Sequence, residues 1–260
     1  STLDKRPGDH LRLGGELPAY FIIEDIHERD ADVVGVTTDG LSRIGGDVGE
    51  PVDLSRTVPT PGYEQAMARG GYYESLLAAD GDDVLISCPH GGDAEKNTAV
   101  MGRHLRQMLR HNGVAATAWL GQGFDSGRDE KDSFGRWHLE TPVKSLEAYP
   151  KLADLKGRRF EYAVGFHLHQ LDLTTVMVGG RASDTLRKSI AETLKDRLGD
   201  SVTVCWRYDN FKLTGRGEWN SVNHFTTNGK GLQIELPPPI CRNKFKTVPR
   251  AVRDALLERL

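Results

Sequence analysis

From residue 62 onward, short apolar runs alternate with stretches whose apolar positions recur at helical spacing. Tyr73, Leu76 and Leu77 read as a helical stretch ahead of a strand over 83–88, with Val84-Leu85-Ile86-Ser87-Cys88 at its centre. Met101, Leu105, Met108 and Leu109 then mark a helix, and His111-Asn112-Gly113 reads as its stop. The runs "VAATAWLGQG" (114–123), "YAVGFH" (162–167), "TTVMVGG" (174–180), "VTVCWRY" (202–208) and "GLQIEL" (231–236) are further strands. A helix capped by Ser183 or Asp184 carries Leu186, Ile190, Leu194 and Leu198 on one face, and "VPRAVRDALLERL", opened by Pro249, is the last. Strands interleaved with helices predict an α/β fold, a three-layer sandwich around a mixed, largely parallel sheet, over residues 61–260.

Residues 1–60 read differently: "ADVVGVTTDGLSRIGGDVGEPVDLSRTVPTPG" has short β-type runs broken by glycines and leaves through Pro59 and Pro61. A small β-rich N-terminal extension on a short linker is expected there. The segment "FDSGRDEKDSFGRWHLETP", after the 114–123 strand, is too charged for core and too long for a simple turn.

Composition narrows the function classes. With 260 residues, 38% hydrophobic and 27% charged, the chain has the balance of an ordinary globular protein. A net charge of -3 argues against bulk binding to nucleic acid or an anionic membrane, which needs a basic face, though a local basic patch stays open. No apolar run reaches the roughly 20 residues of a membrane span, and the start lacks an apolar signal core, so a cytoplasmic protein is expected. Cys88, Cys205 and Cys241 are too dispersed for a metal knuckle or a disulfide framework and receive no chemistry.

Ligand sites in open α/β sheets gather where strands end. The 83–88 run ends at Pro89-His90-Gly91-Gly92, with Glu95 following. Gly-Gly with soluble residues makes an ordinary turn, and that is the plain explanation. The strand 162–167 ends at His167, with His169 two residues on, and Glu235 interrupts the apolar "LQIELP". Imidazoles and carboxylates at the ends of separate strands suit a catalytic zinc ion with three protein ligands and an open position. His90, Glu95 and either His167 or His169 fit as ligands, and Glu235 fits the base that moves a proton. The structural alternative for Glu235 is an ion pair with Arg242. No G-x-G-x-x-G, P-loop, G-x-S-x-G or H-E-x-x-H motif occurs.

The order of these motifs resembles the phage-type poly-γ-glutamate hydrolase family, a branch of the zinc carboxypeptidase-like fold. The resemblance rests on "CPHGGDAE", "YAVGFH", "TVMVGG" and "GEWNSVNHFTTNGKGLQIELPPPICR", and covers roughly residues 62–245. It implies zinc held by His90, Glu95 and His167, with Glu235 as the catalytic carboxylate. Arg242, Asn220 and Asn223 would hold a small or peptide-like anionic substrate, and His138 would be a further site contact. The chain departs from the family at Leu168, where a glycine is usual, and at Asp93-Ala94 before Glu95. These departures fall at the pocket. The expectation is a zinc-dependent hydrolase of a glutamyl or related acyl-amino-acid amide. A deacylase of N-acyl amino acids or aminoacyl esters, and a binding protein that keeps the fold without catalysis, are the alternatives.

Overall fold

A computed structural model describes residues 4–26, 33–126, 133–210, 212–227 and 231–260. Near the N-terminus, β1 (His10–Gly14), β2 (Pro18–Ile22) and β3 (Asp53–Ser55) form a three-stranded antiparallel sheet in the order β2-β1-β3. The expected β element is present, but not where the Val-Gly-Val run suggested it. Instead α1 (Thr38–Ile44) follows that run, because Thr37 caps it by accepting from Gly40 N–H and Gly45 stops it in the left-handed region.

Next come α2 (Tyr63–Arg69), β4 (Tyr72–Leu77), β5 (Val84–Gly92), α3 (Thr98–His111), β6 (Ala116–Gly123) and the short α4 (Ser133–Trp137). A 3-10 segment (Pro142–Ala148) leads to α5 (Pro150–Ala153), β7 (Tyr162–Leu168), β8 (Thr175–Gly180) and α6 (Asp184–Leu198). The chain closes through β9 (Thr203–Cys205), α7 (Ser221–His224), β10 (Gly231–Leu236), α8 (Pro238–Asn243) and α9 (Thr247–Leu257).

Tyr73, Leu76 and Leu77 thus lie on a strand, not on the expected helix. Gly70 ends α2 in the left-handed region, and β4 then pairs antiparallel with β6 along its length. The large sheet runs β4-β6-β5-β7-β10-β8-β9. Its centre, β6-β5-β7-β10, is parallel, while β4 runs against β6, β8 runs against β10, and β9 lies parallel to β8. Helices α3, α6 and α9 cover one face through Met101, Leu105, Ile190, Leu194, Val252 and Leu256. The other face packs under Val143, Tyr149, Leu152, Phe160, Val222 and Phe225, and Tyr20 and Val58 from the N-terminal region join that core. The three-layer α/β sandwich follows from this arrangement.

Candidate metal centre

Strand β5 does not stop at Cys88; it continues to Gly92, with a register irregularity against β6 between Cys88 and Gly91. His90 therefore lies on a bulged strand end instead of a free turn. Bulges re-aim side chains in this way. Each glycine of the pair has its own reason. A Cβ on Gly91 would meet Ala99 Cβ at 2.4 Å, and Gly92 has φ +77°. The chain can then turn sharply into Glu95 and α3.

Glu95 is the hub. Its Oε1 lies 3.0 Å from His90 Nδ1 and 3.5 Å from His138 Nε2, and its Oε2 lies 3.7 Å from His167 Nδ1. Leu168 N–H also donates to Oε2 at 3.1 Å. The donor atoms of His90, Glu95 and His138 all lie within 4.8 Å of one another, the compact group a metal ion needs. His90, Glu95 and His167 are buried, whereas the His138 side chain is 40% exposed and stacks on Phe134. His138, expected as a further site contact, reaches Glu95 from the exposed side of the cluster.

The hydrogen bonding of His90 tests whether these residues fit a metal. Its Nε2 lies 3.0 Å from the Leu139 carbonyl oxygen, which can only accept, so Nε2 carries the proton. A neutral ring then points the Nδ1 lone pair at a carboxylate oxygen 3.0 Å away. Two acceptors face each other, and burial pushes the His90 pKa down, against the doubly protonated ring that would reconcile them. A cation shared by Nδ1 and Oε1 removes the conflict, with the Leu139 carbonyl orienting the ring from behind. Burial alone would raise Glu95, but the surrounding His90, His138 and His167 outweigh it and hold its carboxyl well below the usual range. The donor set fits zinc.

His167 and His169 have different surroundings. His169 accepts from Leu171 N–H at Nδ1 (3.2 Å) and meets the Thr175 carbonyl oxygen through Nε2 at 2.8 Å, so both ring nitrogens serve the backbone. His167 alone turns to the cluster. For His167, burial opposes the charged ring, yet Glu95 and Glu235 together move its pKa upward.

Glu235 is buried on β10, in register with His167 on β7. Its partner is not Arg242. Among the described residues no ion pair joins them; Arg242 is exposed on α8, and Gln233 Nε2–H donates to Glu235 Oε1. Gln233 accepts in turn from Asn220 Nδ2, while Asn220 Oδ1 caps α7 by accepting from Val222 N–H at 3.1 Å. Burial raises the Glu235 pKa, with His167 pulling the other way.

Asn223 serves the backbone: Nδ2 donates to the Gly215 and Gly217 carbonyls and Oδ1 accepts from Arg181 N–H. Its amide is spent on holding the 215–217 loop, which leaves it unsuited to the substrate role expected of it. Gln233 was the residue sequence reasoning missed, although two-residue spacing already places it on the Glu235 face. Residues 127–132 of the charged segment lie outside the described residues.

No protein-family model matches the chain, and no curated protein sequence does either. Solved structures do match it. A bacteriophage poly-γ-glutamate hydrolase superposes with a TM-score of 0.52 at 18% identity, covering 72% of this chain and 89% of the other. The zinc-free form of YNDL gives 0.53 at 16% identity, over 72% and 90%. A metallo-carboxypeptidase from Burkholderia cenocepacia matches more loosely, with a TM-score of 0.41 at 12% identity over 71% and 60%. The fold is the one the motifs pointed to.

Proposed function

We propose that this protein is a zinc-dependent amide hydrolase acting on a glutamyl or related acyl-amino-acid amide. The observation that carries the reading is the pairing of two different carboxylates, Glu95 in the turn after β5 and Glu235 on β10, near enough to act on each other's charge. Glu95 is surrounded by imidazoles, and Glu235 stands apart from them as a buried, separately hydrogen-bonded acid. A mere structural cluster has no use for the second. The bacteriophage hydrolase and the protein with a zinc-free form, both sharing this fold, point the same way.

In this reading His90, Glu95 and His167 hold the metal, since they are the buried members, with His90 and His167 on the ends of β5 and β7 and Glu95 in the turn between β5 and α3. A bound zinc supplies Lewis acidity, polarising the substrate carbonyl and acidifying water. Glu235 takes the proton of the attacking water and passes it to the leaving nitrogen. Its raised pKa suits both halves of that task, because a stronger base accepts more readily and its acid form is then available to the amine. Gln233 holds one oxygen of Glu235 and leaves the other for the proton. His138, half-exposed at the rim, meets the substrate as it enters. The substrate is anionic and peptide-like, with Arg242 on α8 the side chain proposed to meet its carboxylate.

Elemental analysis of the purified protein, beside a His90→Ala/His167→Ala double variant, tests the metal. About one zinc per chain, lost in the variant, is expected. A panel of γ-glutamyl amides and N-acyl amino acids then tests the chemistry. Protein with no metal after zinc is supplied, or zinc-loaded protein inert on the whole panel, sinks the proposal.

A further inference from the structure

Tyr20 lies on β2, in the N-terminal sheet and far in sequence from every residue of the cluster. Its hydroxyl donates to the His138 carbonyl at 2.9 Å and accepts from Glu140 N–H at 3.3 Å. Between those two contacts is Leu139, whose carbonyl receives the His90 Nε2 proton at 3.0 Å. One phenol therefore clasps the backbone on both sides of the carbonyl that orients a cluster imidazole.

Tyr20 is itself held firmly. It is 7% exposed, its ring packs against His10 at 5.6 Å between centroids, and the Arg43 guanidinium lies over it at 5.3 Å. Arg43 also donates to the Tyr20 carbonyl at 2.9 Å, and β2 pairs with β1 opposite Arg12. Burial raises the phenol pKa, which keeps the hydroxyl protonated and able to donate.

We propose that Tyr20 is a positioning residue of the metal centre, fixing the 138–140 backbone so that Leu139 locks the His90 tautomer and His138 stays over Glu95. This rests on the zinc reading above. The tautomer matters because only a proton on Nε2 leaves Nδ1 as a lone pair for a metal. Outer groups that orient a metal-ligating histidine typically govern about 10- to 100-fold in metal affinity. The N-terminal sheet would then be a working part of the site, contributing no ligand of its own.

The test is Tyr20→Phe in the full chain, which keeps the ring and removes only the hydroxyl. Glu140 amide exchange in metal-free protein, zinc affinity by chelator competition and the melting temperature are measured together. Faster Glu140 exchange and zinc affinity weakened about 10-fold or more are expected, with the fold intact. A lower melting temperature with unchanged zinc affinity would mean that Tyr20 is only structural, and overturns the inference. Unchanged Glu140 exchange overturns it as well. Wild-type protein that takes up no zinc sinks the metal reading and this inference together. Zinc uptake equal in wild type and Tyr20→Phe sinks this inference alone.

Discussion

Glu235 and His167 are register partners on adjacent parallel strands, β10 and β7. Side chains at paired positions emerge on the same face of the sheet, so the spacing between this acid and this imidazole is set by main-chain hydrogen bonds. Neither depends on a loop for its place. Under the proposed function, a base built this way would be aligned with the His167 imidazole before any substrate arrives.

Exchange of that acid for its amide should separate chemistry from metal binding. Glu235→Gln is expected to keep about one zinc per chain while kcat falls on the order of 10²- to 10⁴-fold, the range for loss of a general base. Metal content and turnover on a γ-glutamyl amide, measured on the same preparation, check this. Undiminished turnover would remove Glu235 from the mechanism.

The imidazoles should rank by burial. His90→Ala and His167→Ala are expected to abolish stoichiometric zinc, because each leaves Glu95 with too few donors. His138→Ala should keep zinc within about 10-fold, the low end of the effect of a residue outside the ligand set, and lose mainly turnover, because its proposed role is to meet the substrate. Zinc titration of the three variants decides it. Retention in His167→Ala with loss in His138→Ala would instead make the compact His90–Glu95–His138 group the ligand set.

Gln233 is expected to act through Glu235. Gln233→Met keeps the approximate volume but removes the donor to Oε1 and the acceptor for Asn220. A hydrogen bond to a charged group contributes about 1.5–3 kcal/mol, so kcat should fall roughly 10- to 100-fold with KM and zinc content little changed. A steady-state comparison with Glu235→Gln checks this, and the double variant should be no worse than Glu235→Gln alone.

Stability should fall on mild acidification because of His10. Burial is the main cause that pushes its imidazole down to about 4 from 6.5, with Lys5 adding to it. Its Nδ1 lies 2.6 Å from the Tyr149 hydroxyl. Since the folded value is the lower one, the fold favours the neutral ring. The stabilisation is complete above 6.5 and is lost as pH falls towards 4. The difference amounts to about 3 kcal/mol. Urea unfolding of wild type and His10→Asn at several pH values checks it. The gap between the two should narrow or reverse on acidification.

Much of this molecule was legible from its residues. The runs that became β7 and β8 are largely apolar on both faces, which marks central strands, β10 carries Leu232, Ile234 and Leu236 on one face, and Ser183 announces α6. Glu95, His167 and Glu235 were readable because chemistry-bearing residues stand out at strand ends. β4 was not, since Tyr-Tyr-Glu-Ser-Leu-Leu satisfies helical and strand periods alike and only pairing with β6 decides. Nor was the part played by Leu139, because a carbonyl oxygen is present at every position and carries no residue identity. The backbone partners of Asn223 were not legible for a related reason: side-chain polarity says nothing about which groups will use it.

Arg136 carries a last consequence. Its buried guanidinium donates to the carbonyls of Pro18, Gly70 and Phe124, while its own carbonyl accepts from Arg43. One cation thus fastens β2, the end of α2 and the exit of β6 to each other. Trimming the chain to its large sheet would therefore not release an independently stable module. It would strip a fully buried charge of the Pro18 acceptor and open the seam beside His138 to water.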